Sequence, residues 1–321
     1  MDLIYTNEAK EDINVLQGYV LDLAFGMDEN DFECSINRSR HCCKKGYFLY
    51  IENTEYGGII DDIGVDTDAD EIVYYGRTWH GILNSKVLEP DTGEDYLILS
   101  GEANNVLNFL ITRMGVSALF KASTTDSGIN IKNYKMNRYI EGYDGIRKML
   151  KAFGAKLNIR FREGFAELSA MPFVNYSKDE QFDTDQIDFK IKKKGNPINH
   201  VICLGKGDLA AREVIHVYAD ASGNISNTKI FTGIDEVTAK YDNSTAESTT
   251  DLRQGGIDLI TKSWSSDEIK FDFTTDAESY DVGDIVGASE FVTAVEISAE
   301  ITKKIVTIKD NETTISYKVG E

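Results

Sequence analysis

Four histidines and four cysteines are the residues of this 321-residue chain best suited to nucleophilic, acid–base or metal chemistry, and their spacing points away from all three. Cys34, His41, Cys42 and Cys43 stand closest together. They lack the paired C-x2-C spacing of structural zinc sites, and the adjacent Cys42 and Cys43 would face opposite sides of a strand. They read as small apolar residues in and beside a strand end, with reduced thiols, because four sparse cysteines with a vicinal pair do not make a disulfide framework. His80 follows Trp79 in an expected strand, His200 begins another, and His216 sits in the aromatic run Val214–Tyr218. Each histidine reads as packed or hydrogen-bonded rather than catalytic.

The carboxylates divide in the same way. Asp66-x-Asp68-x-Asp70 imitates the start of a calcium loop, but Glu71 occupies the glycine position and Arg77 the place of the bidentate glutamate, so a solvated hairpin turn is the simpler reading. Asp220-Ala221-Ser222-Gly223-Asn224 is a turn between strands for the same reason. With 54 acidic residues, candidate pairs for glycoside hydrolysis always exist, yet none stands out by spacing. No G-x-x-x-x-G-K-S/T loop, G-x-G-x-x-G turn, G-x-S-x-G elbow or H-E-x-x-H helix occurs. The expectation is therefore no catalytic residue, no metal and no cofactor. One dense basic run, Lys190, Lys192, Lys193 and Lys194, is a candidate interaction patch for a phosphate backbone or an acidic partner; a strand edge guarded by lysines is the plainer reading.

The elements that would carry these residues are mostly strands. Phe32–Ile36, Tyr47–Ile51, Gly58–Ile60 and Ile72–Tyr75 are short, aromatic or β-branched runs bounded by Gly, Asn or Asp. Near the other end Ile269–Phe273, Val295–Ile301 and Ile315–Val319 alternate, with one buried and one solvated face. Helices belong to the middle. Val106, Leu107, Leu110, Ile111 and Met114 share one face before Gly115, and Ile146, Met149, Leu150 and Phe153 another before Gly154. A hairpin turning at Glu163-Gly164 follows, then a second from Val201–Leu204 to Val214–Tyr218. A third helix starts near Thr249, weakened by Gly255-Gly256 at about 1 kcal/mol per glycine.

Charge separates the same regions. The net −20 disfavours nucleic-acid binding by phosphate neutralisation and association with anionic membranes. Along the chain, residues 1–100 carry 21 acidic and 7 basic side chains, residues 101–234 carry 14 and 19, and residues 235–321 carry 19 and 8. A basic middle thus lies between two acidic β-regions that share a layout of alternating strand, glycine-marked strand, middle strand and hairpin. A hydrophobic content of 41% marks a folded chain, and the first ten residues show no basic stretch leading into an apolar one, so synthesis in the cytoplasm is expected.

Several strings in this order resemble one group of phage proteins: MDLIYT at the start, Gly57–Leu83, Ser100–Ile111, Asn199–Ser226, Tyr280–Ala288 and Ile301–Glu321. The chain resembles the tail-hub proteins, or baseplate hubs, of long-tailed phages and prophages of Gram-positive bacteria, similar to the N-terminal hub part of tail-tip proteins. The resemblance implies a β-rich α+β fold of two related antiparallel β-barrels with α/β insertions, assembled as a homotrimer. With the charge and periodicity breaks above, the expected division is a first barrel at 1–100, an α/β insertion at 101–198, a β-hairpin segment at 199–234 returning to the first barrel, a helical connector at 235–265 and a second barrel at 266–321. The implied partners are the chain itself, a distal tail or tail-tube protein, a tip, spike or fibre protein, and a tape-measure protein. DNA would pass through without specific binding, and no membrane span is expected. A carbohydrate-binding or peptidoglycan-cleaving tail module, and a non-phage adhesion or scaffold protein, remain the alternatives.

Overall fold

The computed structural model describes residues 1–178, 181–183, 189–192, 196–246, 248–264, 268–275, 280–290, 292, 295–309 and 312–320; for 178, 181–183, 189–192, 268–271, 295 and 297 it describes the backbone alone. The chain forms two compact units, Met1–Phe189 with Lys270–Glu321, and Lys190–Ile269. Strands dominate both, in keeping with the expected β-rich α+β class. No helix among the described residues is long and apolar enough to cross a membrane.

The larger unit is organised by one long strand, Val295–Lys309. Its first half pairs with Ile285–Glu290, and a register shift between Ile301 and Lys303 then hands it over to Glu312–Val319 on one side and Tyr19–Gly26 on the other. From Tyr19–Gly26 the sheet continues antiparallel through Asp31–Asn37, Glu71–Thr78, Gly57–Asp66, Phe48–Tyr50 and Leu3–Thr6 to Asp12–Leu16. The two acidic β-regions are therefore hydrogen-bonded into one sheet through Lys303–Lys309 and Val20–Gly26. Among the described residues this path is open, and no barrel closes.

Within the larger unit, residues 103–172 of the basic middle form the helices and hairpin that their period predicts and pack on the first region. Ala103–Arg113 buries Val106, Leu107, Leu110 and Ile111, and ends before Gly115, which supplies the positive φ of +70° that the exit needs. Gly142–Ala152 buries Ile146, Met149 and Leu150 and ends before Gly154 at φ +75°. The hairpin Ala155–Arg162 to Phe165–Pro172 turns on Glu163-Gly164, both at positive φ, the geometry of a two-residue turn matched to strand twist. Phe161 then stacks on Trp79 at 4.8 Å, so the insertion and the first β-region share one core.

In the smaller unit His200–Leu204 pairs antiparallel with Val214–Ala219 and parallel with Thr238–Asp242, while Ile225–Ser226 adds an edge. The helix Thr249–Trp264 packs on this sheet. A Cβ on Gly256 would stand 2.4 Å from Cys203 Sγ, and one on Gly255 2.2 Å from the Tyr241 ring. The glycine pair that costs helix propensity thus allows the helix to approach the sheet closely.

Candidate functional site

Most of the residues singled out for chemistry have structural employment. Tyr74, buried in the sheet, gathers the 41–43 segment: its hydroxyl oxygen accepts from Cys42 N and Cys43 N at 3.2 Å each and lies 3.0 Å from His41 Nδ1. Burial pushes the Tyr74 phenol up to about 12 and raises the thiols of Cys34, Cys43 and Cys203, which disfavours thiolate chemistry at those three. Asp66 Oδ1 accepts from the backbone of Asp68 and Ala69, and Asp220 Oδ1 from that of Ser222 and Asn224, the self-bonded turns expected of both segments. Lys190 and Lys192 lie in the strand Phe189–Lys192, described as backbone only, and Lys193 and Lys194 fall outside the described residues.

His80 departs from the expected strand. Thr78 Oγ1 caps a short helix, Trp79–Asn84, and the capping pulls Trp79 and His80 into the core. There His80 stacks on Phe25 at 4.8 Å and meets the edge of Tyr143 at 5.0 Å. Burial, reinforced by Lys304, pushes its pKa down to about 3, so the ring is neutral at pH 7. Its 3.6 Å approach to Glu55 is then not an ion pair, and it is too long for a hydrogen bond.

The densest polar constellation was not visible in the spacing. Lys304 is fully buried, with Nζ 2.8 Å from Glu55 Oε1, 3.7 Å from Asp281 Oδ1, and over the rings of Phe25 and Tyr56 at 5.6 and 5.7 Å. Lys156, from the hairpin, donates to Asp281 at 2.6 Å and to both oxygens of Asp284 at 2.8 and 2.9 Å. Asp284 also accepts the backbone N–H of Val174 and of Asp281. Nearby, Glu300 pairs with Arg147 at 3.6 Å and with Lys151. Burial works against ionisation of Asp281, but Lys304 and Lys156 outweigh it and hold the carboxyl below the usual carboxylate range. The network joins the first β-region, the insertion and the last strands by compensated charges; it is an internal lock rather than an open catalytic arrangement.

The outer face of the same sheet is acidic. A groove of about 420 Å³ brings together Asp22, Glu29, Asp31, Glu33, Asp61 and Asp62 around Tyr75 and Arg77. Asp22 and Glu33 are direct cross-strand partners, a like-charge pairing that costs stability. Arg77 forks onto Asp61 at 2.7 and 2.8 Å, and this hydrogen bonding holds the Asp61 carboxyl low. Lys303 pairs with Glu29.

In the smaller unit the strands bring His200 and His216 together. His200 Nε2 lies 2.8 Å from His216 Nδ1, and Glu236 Oε1 lies 2.6 Å from His200 Nδ1. Among the described residues no group of three or more His, Cys, Asp or Glu is placed to share a metal ion.

No protein-family model matches the chain, and no curated protein matches it. Solved structures do match, over nearly its whole length. The 43 kDa tail protein of prophage MuSo2 from Shewanella oneidensis superposes with a TM-score of 0.57 at 10% identity, covering 99% of this chain and 98% of that one. Prophage tail protein gp18 from Listeria monocytogenes gives 0.54 at 10% identity, over 99% and 94%. A tail protein from Neisseria meningitidis gives 0.53 at 12% identity, over 100% and 96%. The chain has the fold of these phage and prophage tail proteins. They come from Gram-negative as well as Gram-positive sources, so the fold itself does not select a Gram-positive host.

Proposed function

We propose that this chain is a structural component of a phage tail or tail-like particle: a homotrimeric hub at the distal end of the tail tube. In that position it joins the tube or distal tail protein to a tip, spike or fibre, with a tape-measure protein as a further neighbour. The observation that carries this reading is the end-to-end likeness to tail proteins. The two acidic β-regions, joined in one sheet, would serve as a pair of barrel-like modules per subunit, six around a tube.

The electrostatics support a passage for DNA rather than a DNA-binding groove. Carboxylates gathered on one sheet face, including the unfavourable Asp22–Glu33 pair, repel phosphates and let a duplex slide without sticking. The buried lock of Lys304, Lys156, Glu55, Asp281 and Asp284 suits a part that must transmit load without separating into its segments. No enzymatic step is assigned to the chain.

Antibody labelling of particles recovered from an induced lysogen tests the assignment. Label at the distal end of the tail supports it, and label elsewhere, or absence from purified particles, overturns it. Release of dye-labelled fragments from peptidoglycan by the purified chain would instead favour a cell-wall-cleaving module.

A further inference from the structure

The strand Leu97–Glu102 pairs antiparallel with Asn130–Met136 along one edge, and among the described residues no strand pairs with its other edge. In an antiparallel pair every second residue turns its N–H and C=O away from the partner, so the free edge presents a row of backbone donors and acceptors. Among the described residues no turn or loop supplies a backbone hydrogen bond to residues 97–100. Beside this edge runs a groove of about 270 Å³, with Ile98, Leu99 and Ser100 on the strand side and Asn105, Val106 and Phe109 of the helix Ala103–Arg113 on the other. Ile98 is 58% exposed and Phe109 47%, so each wall leaves a large apolar side chain open. None of the six lining residues is charged, in a chain of which 27% is charged, and no lysine or proline guards the edge between Leu97 and Glu102.

We propose that this edge and its groove bind an extended, uncharged segment of a partner protein as an added strand between Leu97–Glu102 and the helix Ala103–Arg113. Strand addition draws its affinity from main-chain hydrogen bonds along the edge and its specificity from pockets that take alternate side chains. Here the pocket between Leu99, Val106 and Phe109 takes an aliphatic or aromatic side chain, and the exposed Asn105 carboxamide can bond a neutral polar group beside it. The absence of charge on both walls sets the chemistry of the occupant. A lysine or glutamate of the partner would lose its water against apolar side chains and meet no counter-charge, whereas an uncharged segment loses little. The groove also selects a lone segment over a second copy of this chain. Its far side is walled by the helix, which leaves room for one strand. The chain's own strand Asp12–Leu16 also ends a sheet, but it would bring Leu3–Thr6 with it.

Selection of a displayed random octapeptide library on the purified full chain tests the proposal. The enriched peptides should lack Asp, Glu, Lys and Arg in their central residues and carry apolar side chains at every second position. The most enriched one, made synthetically, should slow amide hydrogen exchange within Leu97–Glu102. Ile98→Lys, at an exposed position where the fold tolerates it, sets a charge in the groove and should weaken binding of that peptide by at least about tenfold. Val87→Lys, at an apolar residue 54% exposed and outside the groove, should leave binding unchanged. No enrichment, enrichment of charged peptides, or an affinity that Ile98→Lys leaves unchanged or that Val87→Lys lowers equally overturns the proposal. So does self-association of the full chain, seen by light scattering and abolished by Ile98→Lys, which would make a second copy the occupant.

Discussion

Lys304→Met removes the ammonium from the centre of the buried lock while keeping an unbranched stem of similar length. Glu55, its side chain 11% exposed, loses a partner at 2.8 Å, and Asp281 loses one at 3.7 Å but keeps Lys156 at 2.6 Å. Taking one member from a buried pair costs about 3–5 kcal/mol, because the remaining charge stays desolvated. The cation–π contacts to Phe25 and Tyr56 are also lost, and sulfur–aromatic contacts of similar size, about 1 kcal/mol, take their place. The charge effect therefore decides the outcome. At ~2–4 °C per kcal/mol for a unit of this size, the melting temperature should fall by about 10 °C. Urea unfolding followed by tryptophan emission reads this directly, since Trp79 is buried in the same unit. The double variant Glu55→Leu with Lys304→Met removes both charges and should recover most of the loss, because replacing a whole buried pair by apolar groups is often neutral. A single variant within about 1 kcal/mol of the parent, or a double variant less stable than the single, would refute the reasoning.

Three further outcomes follow from other sites. The His80 pKa, pushed down to about 3 by burial and Lys304, lies below the ~6.5 of an unfolded histidine, so the unfolded chain binds the extra proton first as pH falls. The contribution of His80, complete above ~6.5, is lost toward pH 3 at about 1.4 kcal/mol per unit, or about 2 kcal/mol between pH 7 and 5. His80→Phe should flatten that segment of the urea midpoint against pH, and an unchanged slope would show that another group sets it. Gly256→Ala gains about 1 kcal/mol of helix propensity but drives its Cβ onto Cys203 Sγ, an overpacking cost of about 1–3 kcal/mol. The smaller unit should lose up to ~2 kcal/mol, and Cys203→Ala added to Gly256→Ala should restore part of it. Buried Asn104 donates to Thr125 O at 2.7 Å and accepts from Ala170 N at 2.8 Å; Asn104→Leu strips both, at about 1–3 kcal/mol for each group left unsatisfied, measurable by thermal unfolding.

The parts legible in the sequence were those determined by local spacing. The helices at Ala103–Arg113 and Gly142–Ala152 showed themselves by a 3.6-residue apolar face closed by a glycine, and the Glu163-Gly164 turn by two residues that tolerate positive φ. The helix holding His80 did not, because six residues with Gly81 inside are too few to show a period, and Thr78 as a cap is indistinguishable from Thr78 in a strand. Alternation states which side chains share a face but not which strands meet, so the joining of the two acidic regions, with Thr307 bonded to Asp22 across 285 positions, had no signature. The shift between Ile301 and Lys303 resets the alternation and turns Lys304 inward with Val306 and Ile308; without that bulge the lysine reads as solvated. His200 and His216 looked scattered for a related reason, since strand register rather than spacing makes them neighbours.

The most direct test of the hub assignment is a cryo-electron microscopy map of the particle's assembled tail tip. The account predicts three copies of this chain at the distal end of the tube, with the face bearing Asp22, Glu33 and Asp62 turned toward the lumen. A map that places the chain off the tail axis, or that lines the lumen with its lysines and arginines while the acidic groove faces outward, would contradict it.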